Sequence, residues 1–151
     1  MAYSCRRAVT SDLPVLVRLL AEDELGRVRE RLEEPLPAGY GEAFARILAS
    51  DFTRVLVLEA AGEVIASLQL TLIPYLSYIG QTRAVFENVH VLPAYQGQGA
   101  GTFLAAFAIG EARSAGAGQI VLTSTSSRTD AHRFWSRMGF AHTHVGMKLF
   151  L

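Results

Sequence analysis

The chain has 151 residues, half of them hydrophobic, with Lys+Arg and Asp+Glu balanced at 14 each and a pI near 6.9. That length suits a single domain with a proper core, and the balanced charge leaves no basic field of the kind nucleic acid requires. The lone Cys5 excludes an internal disulfide, no apolar run approaches the ~20 residues of a membrane span, and the N-terminus lacks a signal peptide's pattern, so a cytoplasmic domain is expected.

Taken in order, Tyr3 to Ala8 reads as a first strand, which makes Cys5 a buried structural thiol rather than a nucleophile. Thr10 is the predicted N-cap of a helix carrying Leu13, Leu16, Val17 and Leu20 on one stripe, with Pro14 tolerated in its first turn. Glu22 to Glu34 is charged, with Leu25, Val28 and Leu32 at helical spacing, and ends at Pro35-Leu36-Pro37-Ala38-Gly39. A further helix is expected from Tyr40 to Ala49. Thr53 to Ala60 and Glu63 to Ile73 form two β-rich runs around Ala61-Gly62, a predicted hairpin. Val64, Ala66, Leu68, Leu70 and Leu72 alternate with Ile65, Ser67, Gln69 and Thr71, so one face is core and the other partly polar. An aromatic loop with Tyr75 and Tyr78 precedes a strand from Arg83 to Leu92. The helix after Gly101 carries Phe103, Leu104, Phe107, Ala108 and Glu111 and stops at Ala115-Gly116. Gln119 to Thr123 follows as a strand, parallel to its predecessor by the crossover rule. A helix from Asp130 to Met138 and one or two strands within Phe140 to Leu151 close the chain, with Met147, Phe150 and Leu151 expected in the core or a subunit interface.

One stretch carries chemistry. From Val89 to Thr102 an alternating apolar run ends at Pro93, and Gly97, Gly99 and Gly101 follow at every second position before a helix. Glycines there let backbone amides approach a ligand, and the helix beyond offers unpaired N–H groups and a positive dipole end, a combination suited to phosphate. The same pattern also serves as a plain tight turn. The dinucleotide fingerprint fails, because its third glycine comes one position early and no acid follows at Gln119 to Thr123. The Walker loop fails for want of a lysine.

The spacing of Gln96, Gly99 and Gly101 resembles the pyrophosphate loop Gln/Arg-x-x-Gly-x-Gly/Ala of the GNAT superfamily of acyl-CoA N-acyltransferases. The preceding Glu87 to Pro93 resembles that family's fourth strand. A second match, Asp130 to Phe140, is similar to its Ala-x-x-Phe/Leu-Tyr-x-x-x-Gly-Phe helix. The resemblance implies one α/β domain over 1–151, a mixed sheet with helices on both faces. It also implies acetyl-CoA as acyl donor, a primary amine as acceptor and no metal; a homodimer is compatible with it. The pair His142 and His144 alone is weak evidence for a metal site.

Carried over residue by residue, Val89, His90 and Val91 would hold the pantetheine arm. The amides of Gln96, Gly97, Gln98, Gly99, Ala100, Gly101 and Thr102 would hold the pyrophosphate, and His132, Phe134 and Trp135 would stand beside the cofactor. The amine must lose a proton. Glu87 and His90 are the candidate bases; a carboxylate near 4.3 is about six units, roughly 8 kcal/mol, too acidic for an ammonium near 10 unless its pKa rises or water intervenes. Strict alternation puts Glu87 on one face with Val89 and Val91, and His90 on the other with Asn88. Family members commonly carry tyrosine as acid at the position of Trp135, and tryptophan has no acidic proton. A thiol near 8.5 leaves as thiolate at a cost of roughly 2 kcal/mol at neutral pH, so water, His132, Tyr75, Tyr78 or no acid at all would serve. Arg128 also replaces an asparagine of the family pattern. Two functions follow: an acetyl-CoA-dependent N-acetyltransferase of a small molecule or protein amine, or a non-catalytic acyl-CoA-binding sensor. The stretches from Glu22 to Tyr40 and Pro74 to Thr82, which would set the acceptor, mix both charges.

Overall fold

A computed structural model describes residues 2–22 and 24–151; Asp23, inside the predicted helix from Glu22, lies outside the described residues. The chain divides into two compact units, 1–121 and 122–151. In the first, a sheet runs in the order β1 (Tyr3–Arg7), β2 (Thr53–Ala60), β3 (Glu63–Ile73), β4 (Thr82–Val91) and β5 (Ala117–Leu122). The first four strands pair antiparallel with their neighbours, and the sheet as a whole is mixed. The hairpin falls where the sequence places it. Ala61 and Gly62 both take positive φ, 51° and 83°, the two-residue geometry whose twist suits flanking strands.

Helices α1 (Leu13–Leu20) and α3 (Ala38–Leu48) pack together, and Leu16 and Phe44 bury against Val57 and Ala8. Val55 joins this cluster. One residue along, Arg54 reaches the carboxylate of Glu111 on α5 (Ala100–Ser114) at 3.2 Å. Because successive strand residues alternate faces, α1 and α3 cover one side of the sheet and α5 the other. Leu56, Val57 and Leu58 are therefore all fully buried. The polar side predicted for β3 is also covered, with Ile65 and Ser67 buried.

Other expectations are corrected. Thr10 is no cap: residues Thr10–Asp12 form a 3-10 turn, and the Asp12 carboxylate accepts the Val9 amide at 2.7 Å. The charged segment yields only a short helix α2 (Glu24–Arg29), with Leu25, Val28 and Leu32 exposed, because its apolar positions have no facing layer. Packing on the sheet selects Ala100, Leu104, Ala105, Ala108 and Ala112 as the buried stripe of α5, while Phe103 is exposed and meets the Tyr3 ring at 5.7 Å. Small side chains bring that helix close to the strands. Between β3 and β4, the turn α4 (Ser77–Gly80) holds Tyr78, Ile79 and Gly80 at positive φ.

The second unit contains α6 (Thr129–Arg137), on which Trp135 is buried with its ring edge-on to Phe134 (4.9 Å) and Phe140 (5.1 Å). The strands expected within Phe140 to Leu151 are not formed. Residues 141–151 lie in no helix or strand and are exposed throughout, so Met147, Phe150 and Leu151 are not core residues.

Candidate functional site

The register of β4 against β3 decides what the site offers. Gln69 pairs with Glu87 and Ser67 with His90, so across the shift Leu68 of β3 faces two residues of β4, Asn88 and Val89. That is a β-bulge, and Asn88, at φ 50°, supplies the left-handed residue. Asparagine tolerates this conformation better than most side chains, and its amide donates to Gln69 at 3.4 Å. Cross-strand partners share a face, and Ser67 and Gln69 share one by alternation. Glu87 and His90 therefore project to the same side of the sheet, the side of Val55 and Val57 where α1 and α3 pack. The alternation expected from the sequence, with Glu87 and His90 opposed and Val91 beside Glu87, is overturned by one extra residue. Val91 pairs with Ala66 and faces the other way, with Phe86. Re-aiming a side chain in this manner is what bulges do near functional sites. Glu87 is exposed and His90 half-buried.

Beyond β4 the chain turns through Pro93–Tyr95 and reaches Gly99, the N-cap of α5, at φ 84°. Gly97 is likewise left-handed at φ 74°, while Gly101 lies inside the helix. The loop is held by its own side chains: Gln96 Nε2 donates to the Val91 carbonyl at 2.9 Å, Gln98 Nε2 to Ala94 at 2.6 Å, and the Tyr3 hydroxyl to the Gln98 carbonyl at 3.2 Å. The Gln96 amide is used internally too, on Pro93. Among the described residues, the amides of Gly97, Gln98, Gly99, Ala100, Gly101 and Thr102 make no bond to the protein. No side chain caps the helix. A row of free donors at the positive end of a four-turn helix is a ready anion site, and a diphosphate would supply the acceptors it lacks.

At the elbow between α2 and α3, Arg29, Arg31, Pro37, Gly39 and Tyr40 line a cavity of about 420 Å³. The Tyr40 hydroxyl accepts the Arg31 amide at 3.0 Å and donates to Glu30 at 2.9 Å. Arg29 pairs with Glu30, and Arg31 lies 4.0 Å from Glu33. The elbow's charges are thus largely compensated within it. In the adjoining turn, Tyr75 and Tyr78 stack at 6.2 Å and Arg83 caps the Tyr75 face at 4.4 Å.

In the second unit, His132 Nε2 lies 3.0 Å from the Thr125 carbonyl, and its ring meets that of His142 at 5.5 Å. Phe134 is half-buried and Arg128 exposed. The candidate residues from Glu87 to Thr102 thus belong to one unit, and His132, Phe134 and Trp135 to the other. Sequence reasoning missed Asn88, whose only signal was an asparagine in a β-branched and aromatic run, and Asp12, which has no motif.

Three comparisons bear on this geometry. The sequence profile of the acetyltransferase (GNAT) family matches residues 18–140. An aminoalkylphosphonate N-acetyltransferase of Salmonella typhimurium (strain LT2) is 39% identical over 83 residues, 55% of this chain and 53% of the relative, so the aligned stretch spans about half the relative's length. Among solved structures, a transcriptional regulator from Bacillus halodurans C-125 is 39% identical with a TM-score of 0.96, covering 99% of this chain and 100% of the other. A protein of Agrobacterium tumefaciens str. C58, provisionally assigned as an acetyltransferase, is 26% identical with a TM-score of 0.87 over 98% and 99% of the two chains. With its bulged fourth strand, its glycine turn and a profile match over most of its length, this chain belongs to the acetyltransferase (GNAT) family.

Proposed function

We propose that the protein transfers an acetyl group from acetyl-CoA to a primary amine by direct attack on the thioester. The row of six unused amides from Gly97 to Thr102 at the start of α5 is the observation that carries this reading. Each charge-assisted bond to phosphate contributes roughly 1.5–3 kcal/mol, so four or five suffice for micromolar binding of CoA, at about −8 kcal/mol. Gln96 serves the loop by tying it to Val91, and the strand around Val89 to Val91 guides the pantetheine arm.

In the reaction the amine nitrogen attacks the carbonyl carbon, the carbon–sulfur bond breaks, and the amine's proton passes to the Glu87–His90 pair. The exposure of Glu87 supports a relay through water, and the face that Glu87 and His90 share supports His90 as its second member. Trp135 gives no acid, and the thiol departs as thiolate against roughly 2 kcal/mol. Residues 1–151 act as one catalytic domain in this reading.

The acceptor is a small amine, and the named substrate of the Salmonella relative puts aminoalkylphosphonates at the head of the panel. Mixing the protein, acetyl-CoA and a panel of aminoalkylphosphonates, amino sugars, polyamines and lysine peptides, while following free thiol, tests the reading. Thiol release dependent on one amine class is the expected result; silence across the panel, with CoA binding shown by calorimetry, would sink it.

A further inference from the structure

The free amides at the start of α5 are only as well aimed as the peptide planes that carry them, and glycine leaves those planes easy to turn. In the trans peptide between Gln98 and Gly99 the carbonyl and the N–H point in opposite directions. Turning that plane over would carry φ of Gly99 from 84° into the negative half, which glycine adopts as readily. The Gln98 carbonyl oxygen would then stand where the Gly99 N–H had been, and a carbonyl repels an anion. The helix does not prevent this. Its first bond, from the Phe103 amide at 2.9 Å, uses the Gly99 carbonyl, which belongs to the next plane.

A contact from the start of the chain does prevent it. The Tyr3 hydroxyl donates to the Gln98 carbonyl at 3.2 Å, across 95 residues of sequence. The side chains of Gln96 and Gln98 hold the Val91 and Ala94 carbonyls, whereas Tyr3 reaches the turn from β1. Its backbone is fixed by pairing with Ala60 on β2. By alternation it shares a face with Arg7, which lies 3.6 Å from Glu111 of α5. Its ring also meets that of Phe103, in the first turn of α5, at 5.7 Å. A ring anchored by the strand and by the helix delivers its hydroxyl to one place.

We propose that Tyr3 is a positioning residue for the cofactor: it locks the Gln98–Gly99 peptide with the carbonyl toward itself and the N–H toward the diphosphate. The proposal rests on the CoA reading of the turn. Without the lock, only the correctly turned fraction of molecules binds, and the apparent dissociation constant rises by the inverse of that fraction.

Tyr3→Phe keeps the ring and removes one hydroxyl. In calorimetry its Kd for CoA should rise about 3–10-fold, the effect of one net hydrogen bond on the balance between the two planes. Pantetheine, which has no diphosphate, should bind parent and variant within about twofold, and the urea midpoint should not move. A parent that binds no CoA sinks the reading of the turn itself. Where the parent binds CoA, a variant Kd within about 1.5-fold of the parent's, or an equal loss of CoA and pantetheine affinity, overturns the role of Tyr3 alone. Should the variant fail to fold, NMR of the unaltered chain decides. Overhauser contacts between the Tyr3 ring and Gln98, with one set of Gly99 amide signals before CoA is added, support the lock; absent contacts or two exchanging sets overturn it.

Discussion

Asp12 is a carboxylate in the interior, and Arg6 makes it tolerable. The guanidinium lies 2.7 and 3.0 Å from the two carboxylate oxygens and 2.7 Å from Glu59, and holds Asp12 below the usual carboxylate range, helped by the Val9 amide. The folded pKa is the lower one, so this stabilisation is complete at neutral pH and is lost as pH falls from about 4 through the folded value. Asp12→Asn should cost about 1.5–3 kcal/mol at pH 7 in urea titrations, and the gap from the parent should narrow as pH falls below about 4. Cys5, in the neighbouring strand position, is pushed up to about 11 by burial; it is a packing residue, not a nucleophile. For the reaction itself, Glu87→Gln and His90→Gln should each lower kcat/KM by about 10²–10⁴-fold while the CoA dissociation constant moves less than about threefold. Equal loss of CoA affinity and rate would mean that these side chains bind rather than relay protons. None of Asn88, Asp12 or the Glu87–His90 alignment is legible from residue types, since each depends on a partner more than five positions away or on another strand.

Glycines govern several elements, and for different reasons. A Cβ at Gly26 would lie 1.9 Å from the Leu20 carbonyl oxygen and 3.1 Å from the Ala21 Cα. Backbone atoms cannot step aside, so α2 sits against the end of α1 only because residue 26 is glycine. Gly26→Ala should displace the elbow, destabilising the chain by more than about 1 kcal/mol and raising KM for the amine more than for acetyl-CoA. Gly110 is the contrast. It lies inside α5 with open space around its would-be Cβ, and Gly110→Ala should stabilise by roughly 0.5–1 kcal/mol in thermal or urea melts. At Gly99 the backbone itself forbids a side chain, with φ 84° at the helix start; Gly99→Ala should weaken CoA binding about tenfold or more by calorimetry, since left-handed alanine costs roughly 1–2 kcal/mol. The hairpin, the glycine turn and α6 were all legible to within a residue or two, because propensity, turn chemistry and periodicity agree there. Where an apolar pattern stayed exposed, as at Leu25, Val28 and Leu32 or beyond Phe140, pattern alone overstated the structure.

Across the whole molecule, 14 basic residues balance 14 acidic ones, so no long-range field draws a polyanion in. If CoA is held by backbone amides, its affinity should depend weakly on salt, falling less than about fivefold between 50 and 500 mM sodium chloride; a decline of a hundredfold would instead indicate lysine or arginine contacts. The family and the type of each principal element lie in the sequence, because strand alternation, the Ala61-Gly62 turn and the spacing of Gln96, Gly97, Gly99 and Gly101 are local properties written in adjacent residues. Only the tertiary structure decided that Glu87 and His90 share a face, that Asp12 is paired with Arg6, and that residues 141–151 form no strand. Each of those depends on which strand lies next to which and in what register, and a single extra residue at Asn88 is enough to reverse the face that alternation assigns.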